Sequence, residues 1–339
     1  MPPDAPPRLG VAFTGGLTPP EIVDCVRLAE SLGYDSAWVA EGHGGDQFAI
    51  LAACATATRR IRLGTSISSV FVRSAPTIAM AAATVDHLSG GRFVLGLGSS
   101  HRVQVEGEHG LAYARPIPRL RETVEVVRAL LRDGEVSYRG EHVRIERFDF
   151  WFPRLRPAVP LYLSGLFRPM LEVCGALADG AILTWTTLDV ARRAAAQVAE
   201  AAARAGRPAE AVEVATLLGC AVGDPAQARA RLKPGVALYA GFFPRYNRLL
   251  AESGFPEAAA AIRQAWQRGD RAGAAALVPD ALVDAVALAG PPETCRARIA
   301  QYRAAGVGLP IVTPRVREGG GAAAVMEAIR ACAPAREAA

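Results

Sequence analysis

Ser89-Gly90-Gly91-Arg92-Phe93-Val94-Leu95-Gly96-Leu97-Gly98-Ser99-Ser100 is the stretch on which the reading of this 339-residue chain turns. Ser89, Gly90 and Gly91 form a turn that launches a short apolar run, Phe93 to Leu97. Gly96, Gly98 and two serines close it. The run is too short for an ordinary helix and reads as a strand buried on both faces, as in a parallel sheet. The glycines let backbone approach another group closely, and the serine hydroxyls offer hydrogen bonds. A dinucleotide fingerprint fails, because His101 occupies the third glycine position.

Outward from this stretch the chain repeats a strand, loop, helix order. Strands are expected over 8–13, 36–40 and 61–65, and the opening run is the fourth. Four more follow over 161–163, 181–183, 212–222 and 309–313. Thr18 and Pro19 begin the first helix, which Gly33 ends. Further helices are expected over 46–58, 76–88, 118–131, 169–177, 188–205 and 293–305, with one starting at Pro225. Residues 136–138 and 142–145 suggest a hairpin. Residues 101–118 read as a long irregular active-site loop, and 240–290 as a helical insertion. The tail, 335–339, is expected to fray. Eight strands alternating with helices imply one (β/α)8 barrel spanning 1–339, of the α/β class.

Composition narrows the function. Net charge is +5, and Lys233 is the only lysine. No basic run is interleaved with aromatics, so nucleic acid is not an expected partner. No segment reaches ~18 uninterrupted apolar residues, so no membrane span is expected. Met1 to Pro7 is proline-rich without an apolar signal core. The six cysteines, at 25, 54, 174, 220, 295 and 332, are widely spaced and read as small buried residues of a reducing cytoplasm. With no His-x-x-x-His and no cysteine pair at zinc spacing, no metal site is expected.

Barrel active sites sit at the C-terminal strand ends. That rule selects Thr14, Gly15, Glu41, His43, Ser66 to Ser69, Gly98 to His101, Ser164 to Arg168 and Trp185. His43 lies in a glycine-bounded loop, and its ordinary pKa of ~6.5 suits proton transfer. Glu41 either orients it or is a structural carboxylate. Ser164, Gly165, Leu166, Phe167 and Arg168 combine a small loop, a cation and a helix start, a combination that attracts phosphate. His87 reads as a helix cap.

Several motifs together resemble the luciferase-like flavin and deazaflavin oxidoreductase family. They are Trp38-Val39-Ala40-Glu41 with His43, Leu63 to Ser66, and Arg73 before Pro76. Asp86-His87-Leu88-Ser89-Gly90-Gly91-Arg92-Phe93 running on to Gly98 is the most diagnostic. Leu120 to Thr123, Val136 to Gly140, Leu161 to Met170, Gly175 and Ala178 to Gly180 complete the set. The chain is most similar to the branch that uses coenzyme F420, a 5-deazaflavin, which includes methylenetetrahydromethanopterin reductase. Two positions depart from the pattern. His101 stands where relatives often carry a carboxylate, and Gly42 splits a Glu-His pair common in flavin-using relatives.

The resemblance implies a luciferase-like barrel that binds reduced F420 and transfers a hydride. The partner is a C=C, C=N or alcohol/carbonyl centre of a small or natural-product substrate. It makes His43 and Glu41 the catalytic candidates. It places a bulge, often with a non-proline cis peptide, at Ser66-Ile67 behind the cofactor ring, with Ser68 and Ser69 at the ring edge. Gly98, Ser99, Ser100 and His101 line the same cleft, and His101 and Arg102 reach toward the phosphate or the coenzyme's acidic tail. A homo-oligomer, specifically a dimer, is expected. The alternatives are an FMN-dependent monooxygenase and a cofactor-less binding protein on the same fold.

Overall fold

The computed structural model describes residues 8–315 and 321–334. The 335–339 tail and the first glycines of the run at 319–321 lie outside them. Eight parallel strands form a closed barrel. In chain order β1 is Gly10–Phe13, β2 is Ser36–Val39, β3 is Arg62–Thr65, and a two-residue β4, Ser68–Ser69, precedes β5, Phe93–Gly98. The hairpin strands β6 (Glu135–Arg139) and β7 (Arg144–Asp149) stand apart. The barrel then continues through β8 (Leu161–Ser164), β9 (Gly180–Thr184), β10 (Glu213–Val222) and β12 (Leu309–Pro314). A short β11, Leu288–Gly290, pairs with β10 at the edge. The ring closes as β1-β2-β3-β5-β8-β9-β10-β12, with β12 back on β1. All eight expected barrel strands are present, most of them shifted by a residue or two.

The barrel interior is filled by a few large side chains. Trp38 and Tyr162 pack with ring centroids 5.5 Å apart. Opposite them stand glycines: a Cβ on Gly64 would enter the Trp38 ring, and one on Gly180 would enter the Tyr162 ring. These two positions are glycine for space, so that aromatic rings can fill the interior. Outside, helices α1 (Pro19–Ser31), α2 (Gln47–Ala57) and α3 (Ala75–Ser89) pack apolar residues such as Ile22, Leu51 and Ile78 against the sheet.

The diagnostic stretch proves to be a structural joint. Each N–H of the Arg92 guanidinium is used: Nε donates to the Ser89 carbonyl, Nη1 to Ile61 O and Thr58 Oγ1, and Nη2 to Ala55 O and Thr58 O, all within 3.1 Å. Asp86, 2% exposed, accepts a bidentate pair from Arg156 at 2.7 and 2.9 Å. His87 does not cap its helix. Its Nε2 meets the Pro153 carbonyl at 2.6 Å, tying the segment before β8 to α3.

Residues 101–118 are less irregular than expected. A short helix α4, Arg102–Gly107, forms, and α5 runs from Pro116 to Asp133. Pro116 and Pro118 are tolerated there because the first turn has no intrahelical acceptor for the N–H that proline lacks. Helices α6 (Arg168–Leu177) and α7 (Leu188–Arg204) flank β9. Between β10 and β12 the chain builds α8 (Pro225–Phe242), α9 (Pro244–Glu252), α10 (Pro256–Gln267), α11 (Arg271–Ala276) and α12 (Asp280–Val286), with a hydrophobic core of their own around Leu232, Val236, Ile262 and Leu282. α13 (Pro292–Ala304) and α14 (Gly321–Cys332) complete the outer layer. No described helix is long and apolar enough to cross a membrane. All six cysteines are free and buried, but their wide spacing misleads, because the fold gathers Cys220, Cys295 and Cys332 at one point.

Candidate active site

A cavity of about 800 Å³ opens at the C-terminal ends of the barrel strands. Its floor is Ile182 and Leu217 inside the barrel, and its walls are the loops that follow β1, β2, β3, β5 and β8. Glu41, His43, Ser66, Ile67, Ser99, Ser100, His101 and all of Ser164 to Arg168 line it, as do Thr14 and Gly15. The barrel therefore collects into one place residues spread over more than 150 positions of sequence.

The Ser66-Ile67 peptide is cis, and Ile67 packs onto the barrel interior from the cavity side. Ser66 Oγ is buried without a hydrogen-bond partner among the described residues. Ser68 and Ser69, expected at a ring edge, are not on the cavity surface. They form β4 and are buried at 0% and 2% exposure, with Ser69 Oγ accepting from the Phe71 and Val72 N–H groups. Gly98 is likewise behind the wall. A Cβ there would press into Ser164 Oγ and come within 2.8 Å of Ile67, so glycine lets β5 sit against both. Trp185 is turned away, under Tyr239 and Arg315.

Glu41 does not orient His43. Its carboxylate accepts from the Ser69 N–H at 2.6 Å and from Arg73 Nε at 2.5 Å, while Arg73 also binds Asp46, the residue that caps α2. Glu41 is thus a structural carboxylate joining the β2 and β3 loops. His43 instead stands at the rim with an 81% exposed side chain, its Nε2 3.2 Å from Glu108 Oε2.

The loop after β8 leads into α6. Gly165 N–H pairs with Ile182 O, but the N–H groups of Leu166, Phe167 and Arg168 donate to no acceptor among the described residues. Three free donors at the start of a ten-residue helix form an anion cradle. The Arg168 side chain is exposed and currently paired with Glu172 at 3.1 Å.

Neither His101 nor Arg102 presents an unpaired cation to the cavity. Arg102 pairs with Glu106 and lies over Tyr113, outside the cavity. The His101 ring packs on Phe243 and Tyr246, at 4.3 and 5.4 Å between centroids. Burial, reinforced by nearby Arg245, lowers its pKa to about 4, so it is neutral at pH 7. It belongs to an aromatic wall with Tyr239, Phe243 and Tyr246, and Arg245 and Arg248 stand at the edge of the same wall. These residues come from α8 and α9, in the part of the chain whose Ala-rich composition signals helix but not orientation. The one local clue is the run Tyr239 to Tyr246, with two more aromatics, Phe242 and Phe243, and an arginine between them.

Three comparisons bear on this site. The luciferase-like monooxygenase family model matches residues 5–308. A Mycobacterium tuberculosis protein provisionally named a coenzyme F420-dependent oxidoreductase is 30% identical over 329 residues, covering 90% of this chain and 94% of its own. The 5,10-methylenetetrahydromethanopterin reductase of Archaeoglobus fulgidus is 28% identical over 306 residues, covering 88% and 91%. Among solved structures, the coenzyme F420-dependent tetrahydromethanopterin reductase of Methanopyrus kandleri superposes with a TM-score of 0.85. It covers 97% of this chain and 98% of its own at 24% identity, which establishes likeness of fold.

Proposed function

The chain belongs to the luciferase-like monooxygenase family, and from that premise we propose that it is a coenzyme F420-dependent oxidoreductase acting on a small molecule. The observation that carries this reading is the anion cradle at Leu166 to Arg168 in the same cavity as Ser66 and Ile67. A phosphate-bearing isoalloxazine-like group fits those residues. The unpartnered N–H groups suit its phosphate, the orphaned Ser66 hydroxyl suits a polar ring atom, and the apolar Ile67 suits a ring face. The coenzyme in the name of the relative at 30% identity favours the deazaflavin over FMN.

When bound, a deazaflavin supplies a hydride carrier that does not activate oxygen. The protein's part is to bind, orient and manage a proton. The 166–168 N–H groups and Arg168 hold the phosphate. Glu108 accepts only, so His43 Nε2 carries the hydrogen in that contact, and Nδ1 is the nitrogen left to exchange a proton with substrate. The aromatic wall with neutral His101 excludes water and offers ring faces to a substrate that is itself apolar or planar. The reaction is reduction or oxidation at a C=C, C=N or alcohol/carbonyl centre.

Titrating the purified protein with F420 and, separately, with FMN tests the proposal by fluorescence. Micromolar F420 binding is expected. FMN binding without F420 binding, or turnover that consumes oxygen, would support the monooxygenase alternative and overturn it. Binding of neither would leave the cofactor-less reading.

A further inference from the structure

Three cysteines that lie far apart in the sequence share one buried point on the outside of the barrel. Cys220 is on β10, Cys295 is in the first turn of α13, and Cys332 is the last residue of α14. None is more than 1% exposed, and none lines the active-site cavity. Their sulfurs all lie within 4.8 Å of one another, and those of Cys220 and Cys332 are 3.8 Å apart. The Cys295 thiol also reaches the Gly290 carbonyl at 3.5 Å, as that of Cys174 reaches the Leu163 carbonyl, but Cys174 is not one of the cluster.

The spacing matches a metal triangle. A cation about 2.3 Å from each of three sulfurs, in their plane, sets the sulfurs about 4 Å apart. The Cys220–Cys332 pair is already at that separation, and small side-chain rotations bring in Cys295. Among the described residues no histidine or carboxylate completes the group. That coordination number disfavours zinc, whose structural sites take four ligands. Thiolates in a dry setting select soft cations such as Cu(I). A positive charge that offsets part of the thiolate charge is at hand. Arg296 follows Cys295, and its Nη1 donates to the carbonyl of Ala331, next to Cys332, at 2.7 Å. Ala333 and Pro334 are partly exposed, so unwinding the last turn of α14 gives a route in.

We propose that Cys220, Cys295 and Cys332 form a three-coordinate thiolate site for a soft monovalent cation of the Cu(I) class, separate from the catalytic cavity. Binding one Cu(I) releases three thiol protons to solvent and leaves the three-thiolate site at −2, without any change of oxidation state. Its structural effect is to fasten α13 and α14 to β10, where the barrel closes through β12. The proposal is independent of the coenzyme assignment.

The test uses the full chain, fully reduced and without oxygen, titrated with Cu(I) against a chromogenic Cu(I) chelator. One Cu(I) per chain should be withheld from the chelator. X-ray absorption of the wild-type complex should fit three sulfurs at about 2.3 Å. Cys295→Ala should weaken the binding by on the order of a hundredfold or more, whereas Cys25→Ala should leave it unchanged. Complete transfer of copper to the chelator would overturn the site. So would undiminished binding by Cys295→Ala, or a first shell of two sulfurs or of nitrogen and oxygen. The absorption measurement on wild type decides the matter even if Cys295→Ala does not fold.

Discussion

His43 Nε2 meets Glu108 Oε2 at 3.2 Å across 65 residues of sequence, while Glu41, two positions before it, is bound to Arg73. The acid that orients the imidazole therefore comes from the end of α4, in the connection between β5 and α5. The histidine's own loop contributes a carboxylate that only holds loops together.

For His43 this predicts a split between binding and turnover. His43→Ala should leave F420 affinity nearly intact and lower kcat by roughly 10²–10⁴-fold. Glu108→Gln should cost less, about tenfold, because it removes orientation and not the imidazole. The His43 side chain is 81% exposed, so His43→Ala should not move the melting temperature. Titration and steady-state rates with a substrate found by bleaching or recovery of F420 absorbance check this. Unchanged turnover in His43→Ala would remove it from the mechanism.

Glu172 holds Arg168 through Nε and offsets part of its charge, so the arginine's pull on a phosphate is diminished by that competition. Arg168→Ala should weaken F420 binding by about 1 kcal/mol, the low end for a charge-assisted contact. Glu172→Gln should tighten it by a few tenths of a kcal/mol. Calorimetry on both variants reads the pair; a Glu172→Gln protein that binds more weakly contradicts the competition.

The neutral His101 carries a pH signature. The unfolded histidine takes up a proton below ~6.5, whereas the native one resists protonation until about pH 4. The unfolded state thus binds more protons in that window, and stability falls as pH drops through it. His101→Gln should lose less stability than wild type between pH 6.5 and 4, by on the order of a few degrees in Tm. Parallel acid-induced loss in the two proteins would mean that His101 is protonated in the fold.

Arg92 should matter for stability alone. Lysine cannot reproduce five N–H donations in a fixed fork. Arg92→Lys strands buried carbonyls at Ala55, Thr58 and Ile61 and should lower unfolding free energy by about 2–3 kcal/mol. Urea denaturation measures that, and F420 affinity of the folded protein should stay as in wild type. A variant as stable as wild type would show that the joint is redundant.

The barrel was legible because each strand is a short apolar run punctuated by glycine and followed by a periodic helix, signals that are local in sequence. The residues at strand ends could be selected by the fold rule alone, and most of them do line the cavity. What a local reading misses is the direction of side chains. Ser68 and Ser69 look like Ser66, yet a two-residue strand turns them into the wall. Glu41 and Glu108 are equally acidic, and only the fold decides which meets His43. The thiol cluster was invisible for the same reason. Cysteines separated by 75 and 37 residues have no spacing signature, and three elements must pack before they meet.

The helices between β10 and β12 have a hydrophobic centre distinct from that of the barrel, yet they supply the aromatic wall of the cavity. Selection can therefore act on the two halves of the site separately. Mutations in α8 and α9 can reshape the space offered to one reactant while the loops after β3 and β8 keep their form. Such a division of labour lets one scaffold diversify its chemistry by exchanging a single segment, and it marks residues 225–286 as the unit to transplant between relatives when a new specificity is sought.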